Sequence, residues 1–411
     1  MENNLTNHLN KKICVYAIAK NEIKFIDRWF ESVKEADYIC VLDTGSTDGS
    51  FEKFLSLGIK CEQKVYKTFR FDVARNDSLK LIPDDTEICV CVDIDEFFAP
   101  GWSKILKENW NRDIGRVRYR YTWNFNPDGS EGTVFMADKI HKYGKYIWTH
   151  PVHEILTEIE KTNLITIDLP QIQLNHKADN QKSRSSYLPL LELSVKEHPD
   201  DDRNTHYLAR EYMFHGEYKK AIKMFKKHLS LPTATWDEER CASLRYIANC
   251  YTQLGKLKQQ KYEEKLKNNI ILQKNNKKTS KNMQKIAKIS KNNYYFNNTI
   301  KFLHLAILTC NTAREAYFEL ALAYFENQNY CLSAVWFNEM FKIKNRELNY
   351  MSNPICWGHV PYDYLAMCYY HLSDFKNAAI AAKNALKYID DERIKNNLKI
   401  FTNLFNQSQN V

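Results

Sequence analysis

The run Ile88-Cys89-Val90-Cys91-Val92-Asp93-Ile94-Asp95-Glu96-Phe97-Phe98 constrains this chain more than any other stretch. Its apolar part is too short for a helix and has the length of a strand buried on both faces. It ends abruptly in two carboxylates one residue apart. Along an extended backbone Asp93 and Asp95 would share one side. Paired carboxylates at the carboxyl end of a strand suit a hard divalent cation, which takes oxygen ligands and keeps room for substrate phosphates. A polar turn following a strand would also be rich in aspartate.

The neighbouring sequence repeats the pattern of strand, polar end and helix. Ile13-Cys14-Val15-Tyr16-Ala17-Ile18 is an apolar run followed by Lys20-Asn21-Glu22, and Ile26, Trp29, Phe30 and Val33 then recur at helical steps. Tyr38-Ile39-Cys40-Val41-Leu42 is a second strand, closed by Asp43-Thr44-Gly45-Ser46-Thr47-Asp48-Gly49-Ser50. A helix over 51–57, a strand over 59–65 and a helix over 72–82 complete the pattern. Alternating strands and helices predict a parallel, doubly wound sheet, in which ligands bind beyond the carboxyl ends of the strands. The polar runs at 20–22, 43–50 and 93–96 fall at those ends. Residues 43–49 also read as a turn capping the next helix. Neither the Gly-x-Gly-x-x-Gly dinucleotide fingerprint nor a Gly-Lys-Ser/Thr phosphate loop is present, which argues against a dehydrogenase and a kinase.

Four motifs in order, Asn21-Glu22, residues 42–49, Ala74-Arg75-Asn76 and Val92-Asp93-Ile94-Asp95-Glu96, closely resemble family 2 glycosyltransferases of the GT-A fold. The resemblance covers residues 12–180 and implies an α/β, Rossmann-like, mostly parallel sheet. It implies that Asp43 contacts a nucleotide base, Arg75 lies near the nucleotide, Asp93 approaches the ribose and Asp95 binds a metal bridging the diphosphate. A nucleotide-sugar donor (a UDP-sugar), Mn2+ or Mg2+, and inversion at the anomeric carbon follow from the same resemblance. Further on, Tyr146-Ile147-Trp148-Thr149-His150-Pro151-Val152-His153-Glu154 resembles the Val-His-Glu motif of a subgroup that includes bacterial enzymes glycosylating peptides on cysteine or serine.

Inverting transfer needs a general base for the acceptor's proton, and a carboxylate at the donor's edge suits it. Glu154 is assigned as base and His153 to the metal or diphosphate, since neutral imidazole is a competent ligand. Asp138 is the rival base, His150 reads as a structural histidine beside Pro151, and His176 as a surface histidine or one closing the pocket. Arg116, Arg118 and Arg120 alternate with Tyr119, Tyr121 and Trp123 as in a half-exposed strand, which fits a solvated face or a platform for a sugar acceptor.

From about residue 184 the strand-like runs stop. Tyr212 and Tyr218, Tyr324 and Tyr330, and Tyr369 and Phe375 repeat a spacing of six, followed by Ala221, by Ser333-Ala334 and by Ala378-Ala379. Tyr251 and Leu257 are a weaker copy. This pattern resembles tetratricopeptide-like (TPR-like) helical hairpins over 184–255 and 296–405, ending in a capping helix. Stacked hairpins bury their own aromatics and form a concave surface for a peptide or a second copy of the chain. Residues 256–295 interrupt the array. Its lysine-rich core, residues 256–291, holds 12 lysines and two glutamates, enough to account for the net charge of +9. A solvated helix or loop is the plain reading of that run; a nucleic-acid or membrane-surface role is the weaker one.

At 411 residues two to three domains are expected. No apolar run reaches the roughly 18 residues of a membrane span, and the first residues have no secretory pattern. Of the 11 cysteines, Cys14, Cys40, Cys89 and Cys91 lie in apolar strand-like runs, no Cys-x-x-Cys pair occurs and the count is odd, so a reducing cytoplasm is expected. The leading expectation is an inverting, metal-dependent hexosyltransferase whose repeats select a peptide or protein acceptor. Its alternatives are a transferase acting on a cell-surface glycan or lipopolysaccharide, and a non-catalytic TPR-like scaffold.

Overall fold

The structure, a computed structural model, describes residues 11–126, 129–177, 187–272, 293–347 and 349–409. The chain divides into two compact units, the first reaching Ser194 and the second starting at Val195. The division falls later than the 180–184 boundary read from sequence. Tyr187, at the start of a helix, lays its ring 6.1 Å from Phe71 and 5.7 Å from His153, which ties it to the first unit.

The first unit runs β1 (Ile13–Ala19), α1 (Ile26–Val33), β2 (Tyr38–Asp43), α2 (Ser50–Ser56), β3 (Lys60–Gln63), α3 (Phe71–Leu79), β4 (Ile88–Cys91), β5 (Glu96–Phe98), α4 (Trp102–Asn109), β6 (Ile114–Thr122), β7 (Val134–Lys142), β8 (Tyr146–Thr149), β9 (Ile155–Glu158) and β10 (Ile165–His176). Eight strands form one sheet in the order β3-β2-β1-β4-β7-β6-β10-β5, and β8 and β9 form a separate hairpin. The sheet is mixed: four of its seven strand pairings are parallel, β6 with β10 among them, so the expected mostly parallel character holds, and three antiparallel pairings are added to it. Strands β1 to β4 pair in parallel, whereas β7 runs antiparallel to both β4 and β6, and β5 antiparallel to β10. The reason is connectivity: no helix joins β6 to β7, so β7 returns beside β6 in the opposite sense.

The uninterrupted apolar character of the first strands follows from cover on both faces. Ile13, Val15, Ala17, Val41, Ile88 and Val90 share a core with Trp29 of α1, Phe54 of α2 and Trp102 of α4. The alternate residues Cys14, Tyr16, Cys40, Leu42, Cys89 and Cys91 pack on the other face with Tyr146, Trp148 and Leu156 of the hairpin. All 11 cysteines are free, and the four in the sheet act as small core residues.

On that second face sits His141 of β7, 1 % exposed. Its Nδ1 lies 3.2 Å from the carbonyl of Lys142, so that nitrogen carries the proton. Nε2 then accepts from the Tyr16 hydroxyl at 2.9 Å, and that hydroxyl accepts from the Trp148 indole at 2.9 Å. Burial pulls the imidazole pKa down from 6.5 to about 4. Above pH 6.5 folded and unfolded rings are both neutral; below it the unfolded ring takes a proton that the folded ring refuses. Stability is therefore expected to fall between pH 6.5 and 4, with roughly 3 kcal/mol from this residue. Urea unfolding at stepped pH should show that part of the slope vanish in His141→Gln.

The second unit is a helical array: α6 (Asp202–Phe214), α7 (Tyr218–Ser230), α8 (Asp237–Leu272), α9 (Asn293–Thr309), α10 (Arg314–Glu326), α11 (Tyr330–Met340), α12 (Val360–His371), α13 (Phe375–Ala385) and a last helix α14 (Glu392–Ser408), preceded by α5 (Tyr187–Glu197) at the division. The six-residue aromatic spacing has a structural cause. Tyr212, Tyr324 and Tyr369 each stand three positions before a helix's end cap and accept a hydrogen bond from the amide five residues on, at 2.8, 2.9 and 2.9 Å. The residue between is left-handed in each: Gly216 (φ 74°), Gln328 (φ 61°) and Ser373 (φ 60°). These are Schellman caps, and the residue closing each one, Glu217, Asn329 or Asp374, directly precedes the next helix. The second aromatic of each pair thus opens the second helix. Ala221, Ser333 and Ala378 follow it three residues later and are buried, letting paired helices approach closely.

The weak copy at Tyr251 and Leu257 does not turn. Gly255 occupies the position of Gly216, yet α8 continues through it to Leu272. A Cβ at Gly255 would lie 3.1 Å from the Cβ of Tyr295 in α9, so this glycine serves a close helix contact. The start of the 256–295 interruption is therefore helical, and residues 273–292 lie outside the described ones. The final helix expected near the chain's end is α14, capped by Asp391 accepting from the Ile394 amide at 2.9 Å. Among the described residues no helix is long and apolar enough to cross a membrane.

Candidate active site

Strand β4 ends at Cys91, and Asp93 and Asp95 follow it in a turn closed by the Glu96 amide donating to the Asp93 carbonyl at 2.9 Å. The alternation expected for them does not apply, because the backbone has left the extended form. The buried Ile94 side chain anchors the turn in the core instead. The two carboxylates consequently have different partners.

Asp93 is gripped by two cations. Arg75 of α3 donates to its Oδ1 at 2.8 Å, and Lys139 of β7 to its Oδ2 at 2.8 Å. Burial alone would raise this carboxyl, but Arg75 and Lys139 hold it well below the usual range. Glu96 completes the group: Oε2 accepts from the Asp93 amide at 2.9 Å and Oε1 from the Tyr121 hydroxyl at 2.7 Å. Burial pushes the Glu96 carboxyl up, and the nearby Asp93 charge adds to the effect.

Arg75 is the hub of the Ala74-Arg75-Asn76 motif. Its Nε pairs with Glu154, Nη1 donates to Cys91 Sγ at 2.9 Å, and the guanidinium lies 5.0 Å from the Trp148 ring centroid. Asn76 exchanges two 2.8 Å hydrogen bonds with the backbone of Trp148. The Phe71 amide donates to the Pro151 carbonyl at 3.0 Å, so α3 and the loop carrying Val152, His153 and Glu154 are held together. Glu154 is thus the buried counterion of Arg75, and the rival base Asp138 pairs with Arg116 at 2.7 Å.

Asp95 carries an imidazole, but not the expected one. His176, at the end of β10, places Nε2 3.3 Å from Asp95 Oδ2. It is 8 % exposed, not a surface residue. Its Nδ1 lies 2.9 Å from the Trp123 carbonyl, which fixes that nitrogen as the donor, and its ring is 4.6 Å from the Trp123 ring. With Nδ1 donating to that carbonyl, the contact of Nε2 with Asp95 Oδ2 is a hydrogen bond only when Nε2 also carries a proton; burial opposes protonation, yet the contact with Asp95 raises the pKa overall. His153 lies against Tyr187, in a left-handed conformation (φ 50°) shared by His150 (φ 75°) and, across the site, Asn21 (φ 56°). Left-handed non-glycine residues concentrate at functional loops.

Asp43, fully buried at the end of β2, accepts at Oδ1 from the amides of Gly45 and Ser46 at 2.9 and 2.8 Å and from Gln63 at 2.9 Å. Its Oδ2 has no hydrogen-bond partner among the described residues. The loop after it is interlocked with Asn21-Glu22: the Asn21 amide donates to Ser46 Oγ, the Thr47 amide to Asn21 Oδ1 and the Glu22 amide to Ser50 Oγ, each at 2.8 Å. Residues 43–49 thus form a turn that leads into α2, whose N-cap Gly49 makes no side-chain cap bond.

The arginines of β6 form a solvated face: Arg116 pairs with Asp138, Arg118 with Asp168 at 2.7 Å, and Arg120 with Glu131. Trp123, 42 % exposed beside His176, offers an open aromatic surface here. Lys139 was invisible to the sequence reading, since nothing in Asp138-Lys139 distinguishes it from a strand's solvent-facing charge.

The fold and site together define a two-part chain, a mixed α/β sheet unit with a charged cluster at strand ends and an array of helical hairpins. No family model and no curated protein matches it. Solved structures with some similarity include a thermophilic TPR protein of Thermus thermophilus (14% identity, 53% of this chain and 88% of that one, TM-score 0.31). MamA (15%, 49% and 85%, TM-score 0.32) and a Podospora anserina putative kinesin light chain with TPR-like repeats (16%, 52% and 91%, TM-score 0.31) are others.

Proposed function

We propose that the first unit is an inverting glycosyltransferase that moves a sugar from a nucleotide-sugar, a UDP-sugar by preference, to a side chain of a peptide or protein. The observation that carries this reading is the division of labour after β4, with Asp93 locked between Arg75 and Lys139 while Asp95 is turned to the imidazole of His176. Asp95 in the turn after β4 and His176 at the end of β10 offer a carboxylate and, once the Nε2 proton is displaced, an imidazole nitrogen, a donor set that suits Mn2+ better than the oxygen-preferring Mg2+. Asp95 and His176 would hold the ion, a part expected of His153. When bound, it would neutralise charge on the departing diphosphate.

The remaining work falls to the chain's own residues. The unsatisfied Oδ2 of Asp43 suits an imino N–H of a nucleobase. Asp93, rigidly held, suits ribose hydroxyls. Lys139 and Arg75 keep the Asp93 carboxylate ionised close to the diphosphate's expected seat. Glu154 remains the proposed base, and transfer retained in Glu154→Gln but lost in Asp138→Asn would move that role to Asp138. The helical array is proposed to select the acceptor, by analogy with other stacked hairpins.

The test is thermal shift with UDP, GDP, CDP and ADP, each with and without Mn2+. One nucleotide at about 100-fold over its Kd should stabilise the protein by roughly 2.7 kcal/mol, and only with the metal. Indifference to all four, or an equal shift in Asp43→Ala, would refute the donor site.

A further inference from the structure

The second unit holds a polar cluster that the proposed transfer does not use. His206 of α6 and His228 of α7 are each 0 % exposed, and Glu239 of α8 is 4 % exposed. One nitrogen from each ring and one carboxylate oxygen all lie within 4.8 Å of one another. Ser243, one turn beyond Glu239 on α8, stands between the rings, its Oγ 2.8 Å from His206 Nδ1 and 2.9 Å from His228 Nδ1. His228 Nε2 is 3.1 Å from Glu239 Oε1.

With one proton on each ring, this chain has a single consistent order. The carboxylate accepts, so His228 carries its proton on Nε2 and accepts at Nδ1 from the Ser243 hydroxyl. Ser243 in turn accepts from His206 Nδ1–H. The His206 Nε2 lone pair is left over, and it has no hydrogen-bond partner among the described residues. Aromatic rings pack around it: the ring centroid lies 5.7 Å from that of Phe225 and 5.8 Å from that of Tyr246. Buried, unpaired polar atoms are scarce in native proteins because nothing replaces the water they lose.

We propose that His206, His228 and Glu239 form a structural zinc site that pins α6, α7 and α8 together. Two imidazoles and one carboxylate are a ligand set for Zn2+, and not for Ca2+ or Mg2+, which prefer oxygen. Ligand atoms about a tetrahedral zinc are roughly 3.3 Å apart, so binding the ion would draw the three ligand atoms together from their present spacing of up to 4.8 Å. Ser243 Oγ or a water completes the coordination. The burial of all four residues keeps substrates out, so the site is structural, and the Ser243-His228-Glu239 series is not a hydrolase triad. The three ligands are on separate helices, 22 and 11 residues apart in sequence, outside the short spacings by which zinc motifs are recognised.

The full-length protein, purified and dialysed, should contain about one zinc per chain by plasma mass spectrometry. A strong chelator should lower its Tm, and Zn2+ but not Mg2+ should restore it. Cobalt substitution should give the intense visible bands of a tetrahedral site. His206→Gln and Glu239→Gln should lose the metal, while His215→Gln, at an exposed position, should retain it. Wild-type protein free of zinc, with a Tm indifferent to chelator and to added zinc, overturns the proposal. Should the variants fail to fold, the cobalt spectrum of the wild type decides, and octahedral or absent bands overturn it as well.

Discussion

Asp95→Asn is expected to lower kcat/KM for the proposed sugar transfer by about 10²–10³-fold, the usual consequence of losing one group that stabilises charge in the transition state. The substitution keeps the shape of the side chain and removes the charge that would bind the cation. Asp95 lies at the surface of the cluster, its side chain 21% exposed, so the fold should tolerate the change. The loss should be accompanied by a higher Mn2+ requirement, because the remaining imidazole of His176 binds alone. His176→Gln should raise that requirement too, with a smaller fall in rate. Activity measured across a manganese titration separates the two effects. An Asp95→Asn enzyme with wild-type rate at the same manganese concentration would remove Asp95 from any metal role, and with it the basis for calling the cluster a transferase site.

What could be read in advance depended on whether the signal was local. Strands β1, β2 and β4 announced themselves because each is covered on both faces, which forces a continuous apolar run. The hairpins announced themselves because a Schellman cap places two aromatics six residues apart, whatever the rest of the helix contains. The same rule misfired at Tyr251, where Gly255, at the position of Gly216, serves the approach of Tyr295 instead. The motifs marked Asp43, Arg75, Asp93 and Asp95 as candidates, but not the residues that the structure pairs with them. Lys139 comes from β7 and His176 from the end of β10, and only the pairing of β7 with β4 and the course of β10 beside β6 and β5 bring them near. His153 and His176 are alike in sequence; backbone position alone decides which meets Asp95. The cluster of His206, His228 and Glu239 is the extreme case, three residues on three helices with no shared motif.

Arg75→Met should destabilise the first unit by about 3 kcal/mol or more, since breaking a buried ion pair strands the partner's charge. Glu154 would bear most of the damage: its side chain is 11% exposed and loses the guanidinium that holds it. Asp93 is less exposed to the change, for Lys139 remains at 2.8 Å. Glu154→Gln in the Arg75→Met background should therefore recover part of the lost stability, because it removes the stranded charge. Urea unfolding of the two single variants and the double variant would show the double as more stable than Arg75→Met, a coupling of the size seen for residues in one network. Simple additivity would mean that the Arg75–Glu154 pair contributes nothing to folding and that Arg75 is held in place by Asp93, Trp148 and Cys91. Arg75→Lys sharpens the distinction. It keeps the charge but not the planar fork, and one ammonium cannot span Asp93 and Glu154 as the guanidinium does. Its stability should fall between wild type and Arg75→Met, whereas a role confined to net charge would leave it equal to wild type.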